Sequence, residues 1–367
     1  MKQKDKKKNK RNSVRLTQVI IPDDAILDDL SFDESYKCKR NEERSVVSYK
    51  EGMDLKPGRI VEIKSNYAYI VEVDGLQYSC ILSGRLKQYR MQTKGLAVVG
   101  DKVDVDFTSA PVYRIETVSS RKNKLSRFGT GTFQKEIIIA ANIDQVIITV
   151  SIRKPMIKPG LIDRYLCAAA LFKIDPLICI NKMDLCDNAA AEDVDGRFDA
   201  ARSEAEEIAA YYRQIGIPVL LVSATTGEGM EDLQRRLKDQ DSLFTGQSGT
   251  GKTSIINYLE PGLKLPTAEI SNYNEKGKHT TTQAILLPWS FSGHLIDTPG
   301  IKTITLHQNH KSLIPTVFPG FHPLTDSCGF RDCTHTHESH CAVKAALDQG
   351  ALPLERYLSY LRIMDSL

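Results

Sequence analysis

Long apolar runs are what this chain of 367 residues most clearly lacks. No stretch approaches the roughly 18 consecutive apolar residues that a membrane-crossing helix needs, so no such helix is expected. No apolar core follows the Lys-rich start before Pro22-Asp23-Asp24, which argues against a secretory leader. The expected location is the cytoplasm, with no membrane partner. Cysteine is also sparse: eight residues are too few for a disulfide framework. Cys38, Cys80, Cys167, Cys179 and Cys186 are scattered singly, whereas Cys328, Cys333 and Cys341 cluster. Histidine is missing altogether before His279, and all eight histidines lie between there and His340. No internal repeat is visible. Hydrophobic content of 41% and charged content of 26% exclude a wholly disordered or collagen-like chain.

Net charge is small, +3, but unevenly placed. Residues 1–12 hold seven Lys/Arg against one Asp, a local +6, so the other residues sum to 3 − 6 = −3. Residues 21–36 carry six acids and no base. A basic tail therefore precedes an acidic stretch. The tail can add salt-sensitive phosphate contacts or serve only as a solvated extension. Residues 1–50 lack apolar periodicity and are expected to be a disordered extension.

The length allows two or three domains. Over 53–120 the texture is β: RIVEIK, YAYIVEV, the turn Asp74-Gly75, LQYSCIL, alternation around Val103 and Val105, and VYRIETV. Four or five short strands in that span suggest a small barrel. Over 124–308 apolar runs QVIITV, PLICI and PVLLV alternate with helical patterns, the signature of a parallel sheet covered by helices. Residues 309–367 hold the Cys/His cluster and two apolar-periodic segments.

GQSGTGKT at 246–253 matches the phosphate-binding pattern G-x-x-x-x-G-K-[ST], with the strand-like SLFT before it and the helix start SIINYL after it. Gly246, Gly249 and Gly251 let the backbone wrap so that N–H groups face phosphates. Gln247, Ser248, Thr250 and Ser254 complete the wrap. Lys252 supplies a charge to the β- and γ-phosphates, and Thr253 offers a hydroxyl to Mg²⁺. DTPG at 297–300 follows the short apolar strand HLI, so Asp297 can hold the same Mg²⁺ through water, with Gly300 beside it. The bland reading is a glycine-rich turn and a common DTPG turn.

NKMD, from Asn181 through Lys182 and Met183 to Asp184, ends the PLICI strand. The carboxylate of Asp184 can accept two hydrogen bonds from guanine N1–H and N2–H₂. A buried acceptor penalises a base that lacks those donors. Lys182 can lie across the base and Asn181 can tie neighbouring loops. Ser223 and Ala224 end the PVLLV strand and can reach guanine O6. Together with the phosphate loop these point to GTP and GDP rather than ATP. A P-loop ATPase or kinase with an accidental NKxD is the competing reading. In an ordinary small GTPase the base motifs follow the phosphate motifs; here they precede them, a circular permutation that domains tolerate when termini lie close. In this order the segment after DTPG runs straight into the C-terminal region, so nucleotide state could move that region.

Cys328, Cys333 and Cys341 with one of His335, His337 and His340 make a donor set suited to a closed, structural Zn²⁺ site. Barrel residues Tyr67, Tyr69, Tyr78, Lys87, Tyr89 and Arg90 are candidate RNA contacts, although packed tyrosines are equally expected.

The stretches AANIDQV, LIDRYL, NKMDL, SATTGEG, GQSGTGKTS, GKHTTT, DTPG and CGFRDCTHTHESHCAV resemble the RsgA (YjeQ) family of small-ribosomal-subunit-dependent GTPases, over about residues 55–365. The resemblance implies a multidomain α/β protein: an N-terminal OB-fold β-barrel, a circularly permuted P-loop GTPase domain and a C-terminal zinc-binding helical domain. It also implies GTP hydrolysis, one zinc per chain held by Cys328, Cys333, His335 and Cys341, and a late role in assembly of the small (30S) ribosomal subunit through its rRNA. A monomer is expected. The alternative is a GTP-dependent RNA-binding switch in which hydrolysis is incidental. Residues before 50 match nothing in the family pattern.

Ras-like proteins place a Gln after DxxG to orient the attacking water; here Ile301 stands there. His279 is the nearest candidate for that role, beside Thr280, Thr281 and Thr282, any of which can be the hydroxyl that senses Mg²⁺. Intrinsic hydrolysis is expected to be slow, and the subunit to be the partner that completes the site.

Overall fold

The computed structural model describes residues 52–64, 68–90, 95–128, 136–187, 197–263, 284–297 and 304–367. The basic tail, the acidic stretch, Tyr67, His279, the three threonines and Gly300 lie outside them, as do the side chains of Tyr89 and Arg90.

The N-terminal unit is a closed barrel. Its strands are β1 (Leu55–Ile63), β2 (Tyr69–Val73), β3 (Leu76–Leu82), β4 (Lys102–Asp106) and β5 (Tyr113–Val118), with helix α1 (Gly84–Arg90) between β3 and β4. Pairing runs β1-β2-β3-β5-β4, and β4 returns to β1. Only β3 and β5 run parallel within it. This closed five-strand order is that of an OB-fold. Asp74 and Gly75 both have positive φ, 50° and 77°, the backbone that a two-residue hairpin turn requires. Ile60, Val71, Cys80, Val105 and Ile115 are fully buried inside.

A hairpin of β6 (Lys124–Phe128) and β7 (Glu136–Ala141) forms a separate two-stranded sheet. It touches the barrel loop through the bridge Val99–Ala140. Then come β8 (Gln145–Ser151), α2 (Pro159–Leu171), β9 (Asp175–Asn181), α3 (Asp184–Asp187), α4 (Arg197–Gln214), β10 (Val219–Leu221), α5 (Met230–Leu237), β11 (Asp241–Thr245), α6 (Lys252–Leu259), β12 (Ile285–Pro288) and β13 (His294–Asp297). The sheet order is β10-β9-β8-β11-β13-β12. All neighbours are parallel except β12 with β13. The strands carry near-continuous apolar runs because helices cover both faces; Ile147, Ile148, Ile178 and Ile180 are fully buried. α4 ends at Gln214, just before Gly216, whose φ of 84° suits the left-handed backbone that closes a helix.

The last stretch contains 3-10 turns, the short helix α7 (Ile314–Val317), α8 (Ala342–Asp348) and α9 (Leu354–Asp365). It packs round Phe318, Phe321 and Tyr360. α9 docks on α2 through a buried node. Arg356 donates to Asp163 Oδ2 at 2.8 Å and to the Tyr212 hydroxyl at 2.7 Å, and that hydroxyl donates to Asp163 Oδ1 at 2.7 Å. Removing one partner of such a pair leaves a buried charge uncompensated.

The barrel joins the large sheet at one strand pair, Glu62 opposite Ile285. Beside it Arg59 of β1 pairs with Asp241, the first residue of β11. His294, the first residue of β13, holds the other oxygen of Asp241 through Nδ1 at 2.8 Å. The starts of the two strands that lead to GQSGTGKT and DTPG are thus latched to the barrel. Burial pushes the Asp241 carboxyl up, but His294 and Arg59 outweigh it and hold it below its ordinary value.

Candidate nucleotide site and metal cluster

β11 ends at Thr245 and α6 begins at Lys252, so GQSGTGKT forms the loop between a central parallel strand and a helix. Two glycines are forced by close approach. A Cβ at Gly246 (φ 144°) would sit 2.1 Å from the Thr149 carbonyl oxygen. One at Gly251 (φ 90°) would sit 2.3 Å from Asn181 Nδ2. Gly251 is also the N-cap of α6, with no side chain to fill the helix end, so the first N–H groups of α6 face the loop's concave side. Lys252 curls over the loop: Nζ donates to Gly246 O at 2.7 Å and to Gln247 O at 2.8 Å. Thr250 is buried and its hydroxyl donates to Gln247 O at 3.0 Å. Ser248 and Ser254 are exposed, and Thr253 is half-buried at the first turn of α6.

The structure brings NKMD onto this loop. Asn181, at the end of β9, is 2% exposed; its amide donates to Thr250 O at 2.9 Å and its oxygen accepts from Ala224 N at 3.3 Å. Lys182, at φ 67°, donates from Nζ to Gly249 O at 2.6 Å and to the Lys154 carbonyl. Burial and the nearby Lys154 cation lower the Lys182 pKa against the pull of Asp184. Met183 is fully buried behind the motif. The Ser223 hydroxyl donates to Asp184 Oδ1 at 2.6 Å, fixing the carboxylate with its other oxygen unengaged by Ser223. The same Ser223 oxygen accepts from the N–H groups of Thr225 and Thr226, each at 3.2 Å. Base motif, phosphate loop and SAT turn form one hydrogen-bonded cradle although NKMD precedes the loop by some 65 positions (246 − 181).

Asp297 ends β13 opposite Ile285 of β12, half-buried. Beyond DTPG the chain reappears at Ile304, whose N–H donates to Thr245 Oγ1 at 3.2 Å at the base of the phosphate loop. His307 then stacks on Phe128 with ring centres 4.1 Å apart, and His310 meets Phe172 edge-on at 5.9 Å. Two features had no clear sequence signal: the Thr245–Ile304 bond and the Arg59–Asp241–His294 latch. Each joins segments by fold rather than by spacing.

Cys328, Cys333, His335 and Cys341 bring one ligand atom each within 4.8 Å of one another. His335 Nδ1 lies 3.6 Å from Cys328 Sγ and 3.4 Å from Cys341 Sγ. A tetrahedral ion with metal–ligand bonds of about 2.0–2.3 Å has edges of about 3.5–3.8 Å, so the cluster fits one. Of the three histidines, His335 is 1% exposed and turned to the thiols, whereas the His337 side chain is 83% exposed. Burial holds the His335 imidazole below its ordinary pKa, the neutral form a metal needs. Burial, with the neighbouring thiols, pushes the Cys333 thiol up to about 12, so the thiolate that a metal requires would be favoured there only with the cation bound. Glu338 clamps the loop, accepting from Thr334 N at 2.7 Å and Thr336 N at 3.0 Å. The Tyr357 hydroxyl donates to His335 O at 2.7 Å.

Among the barrel candidates, Tyr69 is 2% exposed and packed inside, Tyr78 is half-buried in an aromatic group, and Lys87 is exposed. No described helix is long and apolar enough to cross a membrane.

A family model described as RsgA GTPase matches residues 118–307. "Small ribosomal subunit biogenesis GTPase RsgA" of Bacteroides fragilis is 32% identical over 308 residues, 84% of this chain and 96% of that protein. The protein of the same name from Caldanaerobacter subterraneus subsp. tengcongensis is 33% identical over 312 residues, 85% of this chain and 96% of that one. The crystal structure of YjeQ from Thermotoga maritima aligns with a TM-score of 0.68 at 30% identity, covering 85% of this chain and 98% of that chain. YloQ, described as a circularly permuted GTPase, aligns at 0.66 and 25% identity, covering 87% and 97%.

Proposed function

This chain belongs to the RsgA GTPase family, and from that premise we propose that it hydrolyses GTP while bound to the small (30S) ribosomal subunit and its rRNA, late in that particle's maturation. The chain is a GTP-hydrolysing enzyme of ribosome biogenesis. The observation that carries the guanine reading is the Asn181–Lys182 tie to the phosphate loop, because it fixes Asp184 relative to the place where phosphates sit.

In the proposed mechanism the N–H groups of the loop and the Lys252 ammonium hold the β- and γ-phosphates and stabilise charge developing on the leaving group. Thr253 and Asp297 would hold Mg²⁺, which supplies charge neutralisation at those phosphates when bound. Asp184 accepts from guanine N1–H and N2–H₂. His279 orients the attacking water in place of the missing Gln. One of Thr280, Thr281 and Thr282 senses the γ-phosphate, and Gly300 follows it in the DTPG turn. With no built-in Gln, turnover is slow until the subunit completes the site, a gain of about 10³–10⁵ for partners of this kind. Cys328, Cys333, His335 and Cys341 hold one structural zinc, with four protein ligands and no open position. The protein acts as a monomer.

Base recognition is tested by competition. GDP should displace a labelled guanine nucleotide and ADP should not. Asp184→Asn should erase most of that difference, by about 10–100-fold, the cost of losing a charged acceptor. Equal competition by ADP against the unaltered protein would overturn the guanine assignment.

A further inference from the structure

The far end of the barrel carries an apolar patch that no described segment covers. Tyr78, Phe107 and Tyr113 form a tight aromatic group, with centres 4.9, 5.1 and 4.7 Å apart. Leu76, two residues before Tyr78 on β3, and Val112, next to Tyr113 in the chain, are 61% and 43% exposed, high for side chains of this type. The Lys56 ammonium lies 5.0 Å from the centre of the Phe107 ring. The patch is therefore apolar with a cation at its rim.

The described chain begins at Gly52, beside this patch. The Thr108 hydroxyl donates to Gly52 O at 3.4 Å and accepts from Asp54 N at 2.9 Å, while Phe107 N donates to Asp54 O at 2.8 Å. Whatever precedes Gly52 is tethered within a few residues of Phe107. The preceding sequence contains the one stretch with complementary chemistry: residues 19–36, VIIPDDAILDDLSFDESY, with apolar residues interleaved with six acids.

We propose that residues 19–36 of this chain dock on the patch in cis, placing apolar side chains such as Ile26 and Leu30 against Leu76, Tyr78 and Val112, with acids beside Lys56. The connection allows it: residues 37–51 number fifteen (51 − 37 + 1) and can span roughly 50 Å extended. A short tether raises the local concentration to about millimolar, so modest contacts suffice. The proposal stands apart from the nucleotide chemistry and needs none of the GTP site.

Hydroxyl-radical footprinting of the full chain tests it. Ile26→Asp with Leu30→Asp, made in the full chain, should raise oxidation of Leu76 and Tyr78 toward that of free surface residues. The docked population should fall by about a hundredfold, at about tenfold per lost aliphatic contact. GDP affinity should not change, which shows that the variant is folded. In the unaltered protein the protection should be the same at every protein concentration. Equal oxidation in wild type and variant would overturn the proposal. So would protection that disappears on dilution, which means a second copy is the occupant, or protection that appears only when small subunits are added, which means an outside partner is.

Discussion

The side-chain amide of Asn181 donates to the carbonyl of Thr250 at 2.9 Å, across 69 residues of sequence. Base motif and phosphate loop are thereby one rigid unit, although the chain visits them in permuted order. Asn181→Ala removes this bond and the one accepted from Ala224, leaving both backbone groups without that partner. Each such loss costs about 1–3 kcal/mol, so GDP should bind about 10–100-fold more weakly. A titration of GDP by calorimetry, showing unchanged affinity, would mean the cradle does not need this tie.

The base cradle was more legible in sequence than the joints between units. Gly246, Gly251, Lys252 and the NKMD run announce themselves because phosphate wrapping and guanine pairing demand particular residue types at fixed spacing. The barrel strands were equally plain, since the buried Val71, Val73, Val103 and Val105 alternate with the outward-facing Glu72 and Asp104. Helix α1 was not, because GRLKQYR is short and mostly polar. Nor were β6 and β7, which pair with each other outside the main sheet. Asp241 and His294 meet only because β11 and β13 lie parallel in that register, and local sequence carries no trace of it.

That latch gives a pH prediction. Asp241 has its carboxyl held below the ordinary 3.8 by His294 and Arg59, against the opposing effect of burial. A depressed folded-state pKa contributes stability that is fully present above the unfolded value, and it is lost as pH falls through the folded value. Asp241→Asn should therefore cost about 3 kcal/mol near neutrality, the scale for breaking a largely buried ion pair. The gap to the unaltered protein should narrow once pH drops below about 4. Urea unfolding at several pH values measures it; a gap that does not narrow on acidification would contradict the electrostatic origin.

The metal cluster makes a prediction about which histidine matters. Protein purified without chelator should carry one zinc per chain by elemental analysis. His335→Ala should lose it, whereas His337→Ala should keep it, because the His337 side chain points to solvent. Stripping the metal should loosen the segment from Phe321 to Val343 first, since two buried thiols, the half-buried Cys328 thiol and an imidazole would then be held together without a cation. Retention of zinc by the His335 variant would move the fourth ligand elsewhere.

His279 lies outside the described residues, and its role is tested by kinetics. His279→Ala should lower turnover in the presence of small subunits by about 10²–10⁴, the range for a positioned acid–base group, while leaving GTP affinity within about twofold. Unchanged stimulated turnover would remove His279 from the mechanism.

The permuted order has a mechanical consequence. Ile304 is pinned to Thr245 at the foot of the phosphate loop, and His307 and His310 follow directly into the C-terminal unit. The foot of the phosphate loop is thus tied to the start of the cluster-bearing unit, with α9 held on α2 by Arg356 and Asp163.

The most direct measurement of the central claim is GTP turnover by the full chain with isolated small subunits, with large subunits, and with neither. Slow turnover alone and with large subunits, rising by about 10² or more with small subunits, is the predicted result. Equal rates in all three reactions, or stimulation by the large subunit alone, would contradict it.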